Sequence, residues 1–242
     1  MFMSNRYYDI LHTRRHLPTR QNLPHRNNEE DVVVLFVVQN RSVVCSIEID
    51  NRIDEESKVI LHTFNEEIQK VYSTYMTTNV PSLRLEKSTP SIDFSSLIIY
   101  LSKIMERELN SSVVQYIRML NGVEMPRYYR EHKPNTAVVI TVGREECDIN
   151  ALRDGVWKSQ TMGTIKYLIE EYKECLEGIF DSPVNEFISL WEKLRNKRNG
   201  SSHTEITDES DFVTFYQYFC KIVVDGWLSK LMDLKEALMT EI

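Results

Sequence analysis

The sequence predicts a mainly α protein, α+β overall, in which a small N-terminal module containing a β-hairpin precedes a C-terminal antiparallel helical bundle. Three observations carry this. From Ser91 onward, apolar residues recur at helical spacing in one run after another. The clearest β signal, Asp31 to Asp50, lies before those runs. Hydrophobic residues make up 42% of the 242, with only 7 Gly and 7 Pro, which describes a globular chain with a sizeable core.

Taken in order, residues 1–28 form a basic arm. Arg6, Arg14, Arg15, Arg20 and Arg26, with three histidines, stand against the single acid Asp9. Such an arm either follows a phosphate backbone, with Tyr7 and Tyr8 stacking on bases, or is a charged terminal segment that aids solubility. Residues 29–90 form a small α+β module. Val32 to Val38 is a β-branched run, Asn40-Arg41 a turn, and Ser42 to Ile49 a strand that alternates after its first residues. Ile60, Leu61, Phe64, Ile68, Val71 and Tyr72 give Lys58 to Thr77 the spacing of a helix that covers the hairpin. Two prolines and several Ser and Thr make Asn79 to Pro90 a linker.

Residues 91–242 form the bundle. Ser91-Ile92-Asp93 offers cap chemistry for a helix from about Phe94 with Leu97, Ile98, Leu101, Ile104 and Met105 on one face. Asn110-Ser111-Ser112 either breaks that helix or is tolerated before Val113 to Leu120, and Asn121-Gly122 ends it. The segment Pro126 to Pro134 interleaves tyrosines with cations, a composition shared by single-strand binding surfaces and by ordinary loops. Arg127, Tyr128 and Arg130 are its candidate RNA contacts. Ala137 to Val142 reads as a short strand or an apolar stretch under the helices, and Glu145 to Asp148 as a solvated acidic loop. Helical spacing resumes from Thr161, with Met162, Ile165, Leu168, Ile169, Tyr172 and Leu176 on one face. Asp181-Ser182-Pro183 starts a further helix that ends at Asn199-Gly200, and a last long helix runs from about Ser210, capped by Asp208 or Ser210, to Met239.

Charge and composition narrow the function. A net charge of -7 confines any nucleic-acid contact to local clusters. The 4 cysteines share no close spacing with each other or with the 6 histidines, so buried thiols are expected rather than a zinc site or a disulfide framework. No apolar run reaches the roughly 18 residues of a membrane span, and the opening Met-Phe-Met-Ser-Asn-Arg lacks the apolar core of a signal peptide. A cytoplasmic protein is expected. Glycine is too scarce for a phosphate-binding or dinucleotide loop, and Ser201 and Ser202 near His203 have neither a nucleophile elbow nor an acid beside them.

One arginine stands out. On the helix from Ser182, at about 100° per residue and with Phe187 at about 0°, Trp191 falls at about 40°, Leu194 at about 340° and Arg198 at about 20°. The centre of an apolar face is no place for a solvated guanidinium, which must there be hydrogen-bonded or face a cleft. His203 follows five positions later, after a glycine and two serines. An Arg and a His converging on one cleft fit RNA cleavage by attack of its own 2'-hydroxyl. The imidazole, unperturbed pKa about 6.5, moves the proton, and the guanidinium holds the scissile phosphate and offsets developing charge. Asn199 can orient either. The scheme requires no metal and no other cofactor.

The spacing Arg198-Asn199-x-x-x-His203, at the end of an amphipathic helix with another long helix after it, resembles the R-x(4–6)-H motif of HEPN-domain ribonucleases, in which a polar residue follows the arginine. Thr161 to Leu168 is similar to the T-x-G-x-h-x-x-L helix start of several HEPN groups, and Leu194-Arg195-Asn196-Lys197-Arg198 resembles a run in the related KEN nuclease domains. The resemblance covers roughly residues 91–242. It implies a homodimer whose two Arg/His pairs share one composite, metal-independent site, and roles in antiviral defence, toxin–antitoxin pairs or RNA processing. Carried over, Arg198 and His203 are the catalytic pair and Asn199 the polar neighbour, with Arg195 and Lys197 as flanking RNA contacts. Arg195 is also followed by Asn but lies too far from His203 for the usual spacing. If the apolar face of the helix is the dimer seam, Arg198 lies at its edge. Residues 122–161, with their strand character, do not map onto the simplest such bundle. The N-terminal module would receive a regulatory protein or ligand. The competing class is a non-catalytic helical module that binds RNA or protein, such as an antitoxin, an adaptor or a viral accessory factor.

Overall fold

The computed structural model describes residues 34–39, 42–47, 49–78, 92–122, 137–142, 144–153, 156–201 and 206–240. The basic arm, Arg127, Tyr128, Arg130 and His203 lie outside them. The described residues are mainly helical. Strands β1 (Val34–Gln39) and β2 (Ser42–Ile47) precede helices α1 (Glu55–Thr78), α2 (Ser95–Ser111) and α3 (Val113–Leu120). Four short strands follow: β3 (Val139–Val142), β4 (Glu145–Asp148), β5 (Leu152–Arg153) and β6 (Val156–Trp157). The chain closes with α4 (Met162–Glu171), α5 (Lys173–Phe180), α6 (Asn185–Ser201), α7 (Glu209–Val224) and α8 (Trp227–Thr240). None of these helices is long and apolar enough to cross a membrane.

The chain divides into two compact units, the larger comprising Arg52–Phe64 and Ser91–Ile242. The smaller includes the hairpin and the part of α1 from Asn65. In it, β1 and β2 pair antiparallel from Val34↔Ile47 to Gln39↔Ser42, the register that a turn at Asn40-Arg41 demands.

In the larger unit α2 is the central helix, packing against α3, α4, α6, α7 and α8. Its predicted face, Leu97, Ile98, Leu101, Ile104 and Met105, is buried. Three of the long predicted helices are broken. At Ser112 the Ser111 and Ser112 hydroxyls donate to the Glu108 carbonyl at 3.1 and 2.6 Å, competing with the backbone ladder, and α3 sets off separately. Tyr172 separates α4 from α5. The run from Ser210 to Met239 is also two helices, α7 and α8, because Gly226 adopts φ 78°, a left-handed conformation that ends a helix. Asp208, the predicted cap, starts α7 by accepting the Asp211 N–H at 2.8 Å.

The segment after Gly122 is clearer in three dimensions than in sequence. The predicted strand Ala137 to Val142 is β3, and Glu145 to Asp148 is not a loop but its partner β4, paired from Val139↔Asp148 to Val142↔Glu145. Glu145 and Glu146 remain exposed, as expected for a solvated run. Two polar anchors dock this insertion on the bundle. Arg118 of α3, 1% exposed, donates to the Ile149 carbonyl and, at 3.0 Å, to Asn150 Oδ1. Asn110 of α2 accepts the Gln160 N–H at 2.7 Å and donates to the Gln160 carbonyl at 2.9 Å, satisfying both backbone groups of a buried residue.

A buried ion pair ties the start of α1 to the bundle. Glu108, 0% exposed, meets Lys235 Nζ of α8 at 2.7 Å and accepts the Asp54 N–H at 3.0 Å. Lys235 also donates to the Arg52 carbonyl at 2.8 Å, so each charge has a second partner. Arg107 grips Asp54 at 3.1 Å and Glu56 at 2.6 Å. Burial pushes the Asp54 carboxyl up, but the Ser57 N–H and Arg107 outweigh it and hold its pKa below the usual value. Lys235→Ala should lower stability in urea unfolding by about 3–5 kcal/mol, because it strands a buried carboxylate, while a double replacement of Glu108 and Lys235 by apolar residues should cost much less.

Candidate functional site

The candidate site is built on α6 and on what surrounds its C-terminal end. Its first turn is held by Glu177, whose carboxylate accepts the Val184 N–H at 3.0 Å. Phe187, Leu190, Trp191 and Leu194 then form the buried stripe that the spacing predicts. That stripe packs on α2, α4 and α7 of its own chain. As far as Leu194, therefore, it is already filled and does not form a dimer seam; a second copy would have to meet the molecule elsewhere. Trp191 Nε1 donates to the Met162 carbonyl at 3.1 Å, placing the start of α4 beside α6. Thr161 caps α4 by accepting the Thr164 N–H at 3.3 Å.

Beyond Leu194 the helix turns polar. Arg195 lies at 3.5 Å from Glu192 and donates to Asn196 Oδ1 at 3.4 Å. Lys197 is paired with Asp211 of α7. Both predicted RNA contacts thus have counter-charges within the fold, and a phosphate would compete with those acids. Arg198 is half-buried, consistent with its angular position, while Asn199 is exposed. The helix does not end at Asn199-Gly200 but continues to Ser201. Gly200 lacks the positive φ that a left-handed stop would require.

One influence of Arg198 was not anticipated from sequence: its charge acts on Glu106 of α2. Burial raises the Glu106 pKa, and Arg198, followed by Lys103 and the Met162 N–H, opposes that rise without cancelling it. In sequence Glu106 is one more acid in Glu106-Arg107-Glu108, and nothing in that run marks it.

The chain past α6 is anchored at its far end. Thr207, buried, donates its N–H to Asp93 Oδ1 at 3.2 Å, and its carbonyl accepts the Phe94 N–H at 3.0 Å. Asp93 also accepts the Ser95 N–H at 3.0 Å and the Ser95 hydroxyl at 2.7 Å. The residue in the cap position of α2 is Phe94, with no side-chain cap, and Asp93 just before it holds both the start of α2 and the entry to α7. Among the described residues no group of three or more His, Cys, Asp or Glu side chains is gathered as a metal ion would need.

Compared with models of known protein families, with curated protein sequences and with solved structures, the chain matches none.

Asp93→Ala removes an acceptor shared by the starts of α2 and α7. It should lower stability by about 1–2 kcal/mol in urea unfolding and speed hydrogen exchange at the Thr207 amide; an unchanged Thr207 exchange rate would show that the clamp contributes nothing.

Proposed function

We propose that this chain is a metal-independent endoribonuclease of the HEPN type, acting as a homodimer in cytoplasmic RNA cleavage of the defence or toxin kind. The observation that supports it best is the meeting of two sequence segments. Thr161 to Leu168 and Leu194 to Arg198, which carry the resemblance from separate places in the chain, belong to helices that pack together and are joined by the Trp191–Met162 hydrogen bond. Towards the end of the second of these helices a half-buried arginine stands on the continuation of its apolar face.

In this proposal Arg198 holds the scissile phosphate and His203 moves the proton. The 2'-oxygen attacks phosphorus as its proton is taken up, the bond to the 5'-oxygen breaks, and that oxygen leaves with a proton. The products are a 2',3'-cyclic phosphate and a 5'-hydroxyl. A guanidinium suits the phosphorane-like transition state because its rigid fork of donors can follow the charge as it grows on the non-bridging oxygens. Asn199, exposed one position on, contacts the substrate in this proposal. Arg127, Tyr128 and Arg130 extend the RNA contact, and the N-terminal module receives a regulatory partner.

Purified protein incubated with mixed RNAs in excess chelator should cut, and Arg198→Ala and His203→Ala should each lower the rate by about 10²-fold or more. RNA bound but left intact by wild type would assign the chain to the non-catalytic binding class, and variants cutting as well as wild type would remove the catalytic pair. A light-scattering mass should be that of a dimer; a monomer at the concentration that cuts would rule out the composite site.

A further inference from the structure

We infer that Lys166 of α4 and Arg195 of α6 form a subsite for an RNA backbone phosphate next to the one at Arg198, and that Glu192 fills this subsite until RNA displaces it. The inference rests on the reading of Arg198 as a contact to RNA phosphate.

One atom carries the geometry. Glu192 Oε1 lies 3.0 Å from Lys166 Nζ and 3.5 Å from Arg195 Nη2, so cations from two helices already converge on a single anionic oxygen. Each cation stands one helical turn after a member of the Trp191–Met162 hydrogen bond. The contact that joins α4 to α6 therefore also sets the gap between the two cations. A phosphodiester oxygen placed where Oε1 stands meets the same two donors.

Exposure separates the acid from the cations. The Lys166 and Arg195 side chains are 16% and 21% exposed, against 41% for Glu192. The fold holds the cations, whereas the carboxylate can swing into water at the small cost of a surface ion pair. Glu170, one turn along α4, lies 3.5 Å from Lys166 Nζ and keeps the ammonium in place when Glu192 leaves. Glu192 also pairs Arg195 incompletely. Arg195 Nε is enclosed and has no acceptor among the described residues, while Nη2 gives a 3.4 Å bond to Asn196 Oδ1. Nε and Nη2 share the edge of the guanidinium that grips a phosphate with two parallel bonds, and Glu192 leaves that edge half used. Arg195 and Arg198, three positions apart on α6, are neighbours about 5–6 Å apart at Cβ, so one RNA strand can engage both.

A 2'-O-methyl RNA lacks the attacking hydroxyl, so its binding to the full chain is read apart from cleavage. Glu192→Gln removes the competing charge and should tighten its Kd by about fivefold, the scale of one surface ion pair. Glu186→Gln makes the same change of net charge at an acid of α6 that pairs with Lys221, and should leave Kd unchanged. Lys166→Gln should weaken binding and make the slope of log K against log salt shallower by about 0.7, the value for one phosphate contact to a single strand. In the double variant it should abolish the gain from Glu192→Gln. Equal Kd values for Glu192→Gln and Glu186→Gln overturn the inference, as does a salt slope that Lys166→Gln leaves unchanged. Should Lys166→Gln fail to fold, the Arg195 Nε–H resonance of the wild-type protein must shift when the RNA is added; a resonance that stays still overturns the inference. A wild type that binds this RNA but never cuts natural RNA overturns the nuclease reading alone, and one that binds no RNA overturns both.

Discussion

A carboxylate and an ammonium buried together set the register of the central helix. Glu108 is fully enclosed, and its counter-charge comes from Lys235, far along the chain on α8. Such a pair adds little stability over an apolar core of the same shape, but it tolerates few alternatives. A slide of α2 by one turn would leave a bare charge in the interior, whereas a slide of its leucines would only exchange one apolar contact for another. The Asp54 N–H and the Arg52 carbonyl complete the pair, so the start of α1 is registered by the same two side chains. This is specificity obtained from electrostatics inside a bundle whose cohesion comes from apolar burial.

The polar side chains along the rest of α2 act in the same manner on other elements. Asp93 fastens the entry to α7 and Asn110 fastens the approach to α4. Each bridges a helix end, where backbone groups lack partners in their own helix, to the middle of the domain. Arg118 does the equivalent for the β insertion from α3. The candidate site therefore stands on a frame of hydrogen bonds rather than on packing alone. Sub-ångström placement of a guanidinium requires such a frame, since packed apolar surfaces specify position less sharply than directional bonds do.

Charged residues at the centre of an apolar stripe proved the most informative signal in the sequence. Arg198 shows it and is half-buried. Glu108 shows it equally: eleven positions after Leu97, at about 100° per residue, it falls within about 20° of that leucine, and it is the buried anchor of the domain. The same angular test separates neither Glu106 from its solvated neighbours nor Asp93 from an ordinary cap. Their partners, Arg198 and Thr207, lie roughly a hundred residues away, and no periodicity within one helix reports on a contact of that span. The helix break at Ser112 was one of the two readings its paired hydroxyls allow, whereas the break at Gly226, a glycine beside an aspartate, was masked by continuous apolar spacing on both sides.

Local chemistry alone therefore determined the mainly helical class, the N-terminal hairpin and its register, the buried faces of α2 and α6, and the inward angle of Arg198. These depend on residues within a few turns of one another, where side-chain direction follows directly from backbone period. Tertiary structure decided which of the many acids meets which of the many cations, that the α6 stripe is filled by its own chain, and that the acidic run after Gly122 is a strand. Those outcomes depend on which elements pack side by side. Coulomb attraction has no memory of sequence distance, so Glu108 finds Lys235 only once the helices between them have folded.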